Sequence, residues 1–248
     1  MAGIIVELII SWLLLWLICK KHISVLGFGP TKSRVTNLGV GLLIAASCCI
    51  LYQLMTTAFI NNSWVWNKQV TGKTILESSR WTLVSVLYEE LIFRGALLYI
   101  AIKKIGVAKA CILSAVGFGI YHWFTFNAFG NPFMMVISFL MTGFVGLSWA
   151  FAFAKTNSLY LPIGLHFGWN WFYTVVFSNQ PPGQAILVRT NENQLQGTLS
   201  LLVFLFQVFA LPLFTFWYLN RLSKKRKLRI DKEQQPLTKA LPIVGPDE

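Results

Sequence analysis

The feature that most restricts this chain is a series of seven apolar runs, each of the roughly 17–25 residues that a bilayer core requires. They cover about Gly3–Cys19, Leu38–Ile60, Trp81–Ile102, Val107–Phe126, Phe133–Ala154, Ser158–Phe177 and Leu199–Leu219. Each run is expected to be a helix, because lipid offers backbone N–H and C=O groups no other partner. The expected fold is therefore an all-α, polytopic membrane helix bundle of about seven transmembrane helices. Composition agrees: 55% of the 248 residues are hydrophobic and only 12% are charged, too apolar for an ordinary soluble domain.

The basic residues predict the orientation. Lys20, Lys21, Lys32 and Arg34 fall in the first loop, Lys103, Lys104 and Lys109 in or beside the third, Lys155 in the fifth, and Arg221 through Arg229 open the tail. With the rest of the tail, sixteen lie on that side against Lys68, Lys73, Arg80 and Arg189 on the other, and Arg94 is in the membrane. The positive-inside rule then gives an outside N-terminus and a cytoplasmic tail, an alternation that an eighth crossing would break. The formal net charge of +12 thus points to anionic lipid, above all at Lys224–Arg229, and not to nucleic acid. A multi-pass integral membrane protein is expected, in the plasma membrane if the source is bacterial.

The expected division is a membrane domain over 1–220, with its motif core at about 81–177, and a basic, disordered cytoplasmic tail over 221–248. Two outer segments read as loops: Asn61–Ser79, with Trp64 and Trp66 as interfacial anchors, and Ser178–Gly197, with Pro181-Pro182-Gly183. The first run lacks a basic leader and a small-residue cleavage site, so a retained helix is expected rather than a signal peptide. Cys19, Cys48, Cys49 and Cys111 form no CxxC pair and suggest neither a disulfide framework nor a thiolate metal site.

Against this background the stretch Tyr88–Gly95 is anomalous, since it sets Glu89, Glu90 and Arg94 inside the third run. Ionisable groups at membrane depth are costly, and they mark functional interiors. His122 in the fourth run and His166 in the sixth, with Asn170 one turn later, complete a buried polar set on three helices. On a helix Arg94 stands one turn from Glu90, about 40° around, the favoured i,i+4 arrangement, whereas Glu89 points about 100° away. Glu90 is thus expected to pair with Arg94 and to be held ionised, leaving Glu89 free. An unpaired carboxylate in apolar surroundings has the basicity that a general base needs.

His166 and Asn170 project from one face and could converge on one developing oxyanion. Gly164 and Gly168 flank His166 as a small-xxx-small pair that lets a neighbouring helix approach closely. Phe118 and His122 are also four apart, and His122 could share a water with Glu89. Counting 1.5 Å per residue from the inner ends of the runs places Glu89 and Glu90 at about 20 Å, His122 at about 20–25 Å and His166 at about 12 Å. That spread is too wide for one site, which puts the run boundaries in question.

Glu89-Glu90-x-x-x-Arg94, Phe118-x-x-x-His122 and His166-x-x-x-Asn170, in this order on successive membrane helices, resemble the three motifs of the CPBP family. This family comprises CAAX-prenyl-protease-type intramembrane glutamic endopeptidases and their bacterial relatives, also called Abi proteins. Phe93-Arg94-Gly95, Lys155–Leu159 and Pro162 agree with it, and the resemblance covers about Leu83 to Trp171. It implies a hydrolase in which Glu89 and His122 activate a water, His166 and Asn170 form the oxyanion hole, and Glu90 with Arg94 is an orienting pair. It implies no metal and no other cofactor. The substrate expected is a membrane-embedded or membrane-adjacent peptide or protein.

Two other readings stand beside this one. Glu89, His122 and His166 could supply a carboxylate and two imidazoles to zinc, although no HExxH helix is present. A non-catalytic immunity or regulatory protein of the same fold, or a small transporter using the buried charges as a relay, would keep the helices without the chemistry. As nucleophiles, Cys111 lies about three turns from His122 on the same helix, and Ser114 reads as a packing residue.

Overall fold

The computed structural model describes residues 2–177 and 185–239, so Pro181-Pro182-Gly183 and the last nine residues lie outside the described residues. Eight α-helices carry the described chain: α1 (Ala2–Leu14), α2 (Lys32–Phe59), α3 (Gly72–Arg94), α4 (Ala96–Ile105), α5 (Val107–Thr125), α6 (Pro132–Thr156), α7 (Tyr160–Trp171) and α8 (Gly197–Lys239). Short π-helical turns extend α1 over Leu15–Cys19 and α7 over Phe172–Val176.

The helix starts follow local chemistry. The hydroxyls of Thr31 and Thr71 accept from the N–H groups of Arg34 and Thr74, at 3.3 and 3.1 Å, and cap α2 and α3. Asn131 caps α6 by accepting from Met134 N at 3.1 Å, with Pro132 in the first turn, where no N–H is needed.

Among the described residues four helices are long and apolar enough to cross a membrane: α2, α5, α6 and the Gly197–Leu228 part of α8. Large apolar side chains stand on their outer faces, among them Leu43, Leu113, Phe133 and Leu213, as expected where lipid is the solvent.

The largest departure from the expected seven runs is in the third. Instead of one helix over Trp81–Ile102, α3 begins nine residues earlier, inside the segment read as an outer loop, and ends at Arg94. There Gly95 turns the chain into the ten-residue α4. A side chain at Gly95 would collide with the Leu91 carbonyl, so only glycine fits the break. Hydropathy cannot register such a break, because glycine interrupts neither the apolar count nor the charge pattern. Residues counted back from Ile102 therefore do not measure where Glu89 lies.

Two further segments differ from expectation. Trp64–Trp66 and Leu187–Arg189 form strands β1 and β2, paired antiparallel with Val65 opposite Val188, so the two outer segments close on each other. The indole of Trp64 donates to Thr57 Oγ1 at 2.7 Å, while Trp66 is exposed. The tail is not unstructured from residue 221: α8 continues as helix through Lys239.

The helix pair α2 and α7 frames one side of the site. The expected close approach at Gly164 and Gly168 is made by α2: a side chain at Gly164 would strike the Leu38 carbonyl, and one at Gly168 would come within 2.7 Å of the Leu42 oxygen. Packing at this range supplies the van der Waals contact that holds helices together where no hydrophobic effect acts. A buried cluster that includes Ala45, Phe118, Trp149, Leu161, Leu165 and Leu211 joins α2, α5, α6, α7 and α8 behind it.

Candidate active site

Helices α3 and α7 run antiparallel, linked by contacts from Glu90 to His166, Thr82 to Thr174 and Ser79 to Trp171, at 2.8, 3.4 and 2.7 Å. This ladder sets the polar residues of the two helices opposite one another. Glu90 and Arg94 are fully buried, and Arg94 Nη1 donates to Glu90 Oε1 at 3.1 Å, the i,i+4 pair expected from helical geometry. The same Oε1 lies 2.8 Å from His166 Nδ1.

Arg94 is held from several sides. Its Nη2 donates to the Gly146 carbonyl of α6 at 3.2 Å. Its guanidinium lies 4.1 Å from the centre of the Phe118 ring and 5.2 Å from that of Trp149, so two aromatic faces share the charge with Glu90. Gly146 admits this arrangement, because a side chain there would press on Phe118 at 2.8 Å and on Arg94 at 3.0 Å.

Glu89 points elsewhere, as its position on the helix requires. It bonds neither Arg94 nor Glu90. Its Oε2 lies 3.7 Å from His166 Nε2, and Ser85 approaches Oε1 at 3.4 Å. Glu89 is therefore not wholly free, since His166 stands between the two carboxylates with one ring nitrogen toward each. Glu89 Oε2 and Glu90 Oε2 are buried and have no hydrogen-bond partner among the described residues. Such oxygens call for a donor that a bound water or a substrate can supply.

His122 enters from α5 through the ring of Phe118. The two rings meet edge-on with centres 4.5 Å apart, and Phe118 is 6.0 Å from His166 in the same manner. His122 Nδ1 is 2.8 Å from the Phe118 carbonyl. A carbonyl only accepts, so Nδ1 carries the proton in this bond and Nε2 presents a lone pair. Asn170 sits on α7 between the His166 and Thr174 rungs; its carbonyl accepts from Thr174, and its side chain makes no hydrogen bond among the described residues.

Sequence reasoning missed Trp149 of α6. It is buried and stacks on His166 with ring centres 4.2 Å apart and planes 25° apart. The only signal was indirect, in Gly143 and Gly146 thinning α6 on the approach to it. It also passed over Glu7, the one acidic residue of the first run. Ser114 is engaged in packing, its hydroxyl donating to the Phe93 carbonyl at 2.8 Å, and Cys111 is buried in the core. Among the described residues no group of three His, Cys, Asp or Glu side chains is arranged to hold a metal ion.

Residues 71–172 match the family model described as Rce1-like, type II CAAX prenyl endopeptidase. This segment is similar to the Rce1-like type II CAAX prenyl endopeptidases of the CPBP family. The Rce1-like segment runs from the cap of α3 to the end of α7, about two-fifths of the chain, and it contains Glu89, Glu90, Arg94, Phe118, His122, His166 and Asn170. The family is one of membrane-embedded proteases. A search of curated proteins and one of solved structures each found no match.

Proposed function

We propose that this protein is an intramembrane endopeptidase that hydrolyses a peptide bond with a water activated by Glu89 and His122. The observation that carries the reading is the meeting of Glu89, Glu90 and His166 across α3 and α7, inside the Rce1-like segment. Glu89 Oε2 is buried without a hydrogen-bond partner among the described residues, and His122 offers a lone pair at Nε2. A water held by these two groups gives one proton to Glu89 as its oxygen attacks the scissile carbonyl. The C–N bond then breaks, and Glu89 returns the proton to the leaving amine.

In this reading the negative charge on the carbonyl oxygen is met by His166 Nε2–H and the Asn170 carboxamide. For His166 to donate from Nε2 while Nδ1 is bonded to Glu90, both nitrogens must carry protons. The resulting imidazolium balances Glu89, just as Arg94 balances Glu90. Glu90 and Trp149 act as positioning residues, one holding Nδ1–H and the other the ring plane.

The orientation proposed is an outside N-terminus and a cytoplasmic tail. Support comes from Lys155, Arg226 and Lys227, which line one basic pocket between the end of α6 and α8, where anionic lipid headgroups would sit. The test is cleavage by purified protein in nanodiscs with Glu89→Gln, His122→Ala and His166→Ala beside wild type. Losses of about a hundredfold or more in kcat are expected for each. Three well-folded variants with full activity would rule the mechanism out. In cells, a biological effect that survives all three substitutions would favour the immunity or regulatory reading.

A further inference from the structure

The first helix brings a carboxylate to the back of α3. Gly3 packs on Tyr88, where an added side chain would sit 3.2 Å from the ring, and α1 then runs alongside α3 toward α4. Glu7, one turn beyond Gly3, opens into a groove of about 360 Å³ between α1 and the α3–α4 break. Apart from Glu7, Ser11 and the Tyr88 hydroxyl its walls are apolar, with Ile10, Leu14, Leu91, Ile92 and Leu97 among them. Both Glu7 carboxylate oxygens are buried, and neither has a hydrogen-bond partner among the described residues.

A charge in this position is expensive unless a cation meets it, and without one the carboxyl keeps its proton. A hard metal ion does not fit, because it would need several oxygen ligands and the groove offers one carboxylate among hydrocarbon walls. A long basic side chain does fit: its methylene stem lies against apolar surface and its head reaches the two free oxygens. The groove also adjoins the chemistry. Tyr88 lines it and precedes Glu89 on α3.

We infer that the groove between α1 and α3–α4 is a specificity subsite in which Glu7 receives a lysine or arginine side chain of the substrate peptide. This rests on the protease reading for the word substrate, but the binding it describes can be measured without turnover.

The probe is a set of fluorescent, N-palmitoylated hexapeptides in which lysine or norleucine is scanned through the six positions. Binding is read by anisotropy with the full chain in nanodiscs, for wild type, Glu7→Gln and Glu7→Lys, and a thermal unfolding scan confirms that each variant folds. At one position wild type should bind the lysine peptide about tenfold more tightly than its norleucine twin, the scale of one charge-assisted hydrogen bond. Glu7→Gln should abolish that preference, and Glu7→Lys should transfer it to a peptide with glutamate at the same position. No lysine preference at any position, or one that survives Glu7→Gln, overturns the inference. Mass spectrometry of the same mixtures separates the two claims. Lysine preference without any cleavage keeps the subsite and counts against the protease, whereas cleavage with no Glu7-dependent preference does the reverse.

Discussion

Glu90→Gln should destabilise the bundle by about 3 kcal/mol. The substitution removes the one negative charge bonded to a guanidinium that is fully buried, at 3.1 Å, and leaves that guanidinium with the Gly146 carbonyl and two ring faces. Stranding one member of a buried pair costs about 3–5 kcal/mol. The lower end is expected here, because the Phe118 ring at 4.1 Å goes on sharing the charge. Arg94→Met should cost a similar amount by stranding Glu90, with His166 as its remaining partner. The double variant, with no buried charge left unmatched, should recover about 2 kcal/mol of the summed losses. A double-mutant cycle of unfolding in bicelles by added SDS gives these numbers. Single losses under about 1 kcal/mol that simply add in the double variant would refute the reasoning.

Three further outcomes follow from the same geometry. Trp149→Phe should retain most activity and Trp149→Ala should lose it, with kcat falling more than KM rises, because the stack fixes the His166 ring without touching substrate; equal kinetics for the two would remove Trp149 from the site. Gly168→Val should destabilise the protein by a few kcal/mol by forcing α7 off the Leu42 carbonyl, while Gly39→Ala, which meets nothing nearby, should be silent in the same unfolding assay. Activity should persist under a strong chelator with less than stoichiometric zinc in the purified protein, and stoichiometric zinc lost together with activity would instead establish the metal-assisted reading.

What could be read from the sequence was whatever a single helix dictates. Glu90 and Arg94 are four residues apart on one helix, so their pairing follows from the pitch, and Glu89 diverges from them for the same reason. Gly164 and Gly168 announced a close helix contact, though not that α2 makes it. What could not be read depends on partners brought from elsewhere in the chain. The bond from His166 to Glu90 needs the antiparallel docking of α7 on α3, and the Trp149 stack needs α6 to cross behind both. The break at Gly95 is set by a carbonyl four residues back and leaves no mark on hydropathy. Glu7 was visible as a charge in an apolar run, yet only the groove gives it a meaning.

The most direct measurement is terminal proteomics of membrane fractions from cells expressing wild type or the Glu89→Gln variant. The account predicts at least one membrane-associated protein whose new terminus is present with wild type and absent with Glu89→Gln at equal protein level. Identical sets of termini, with both proteins folded and inserted, would contradict it.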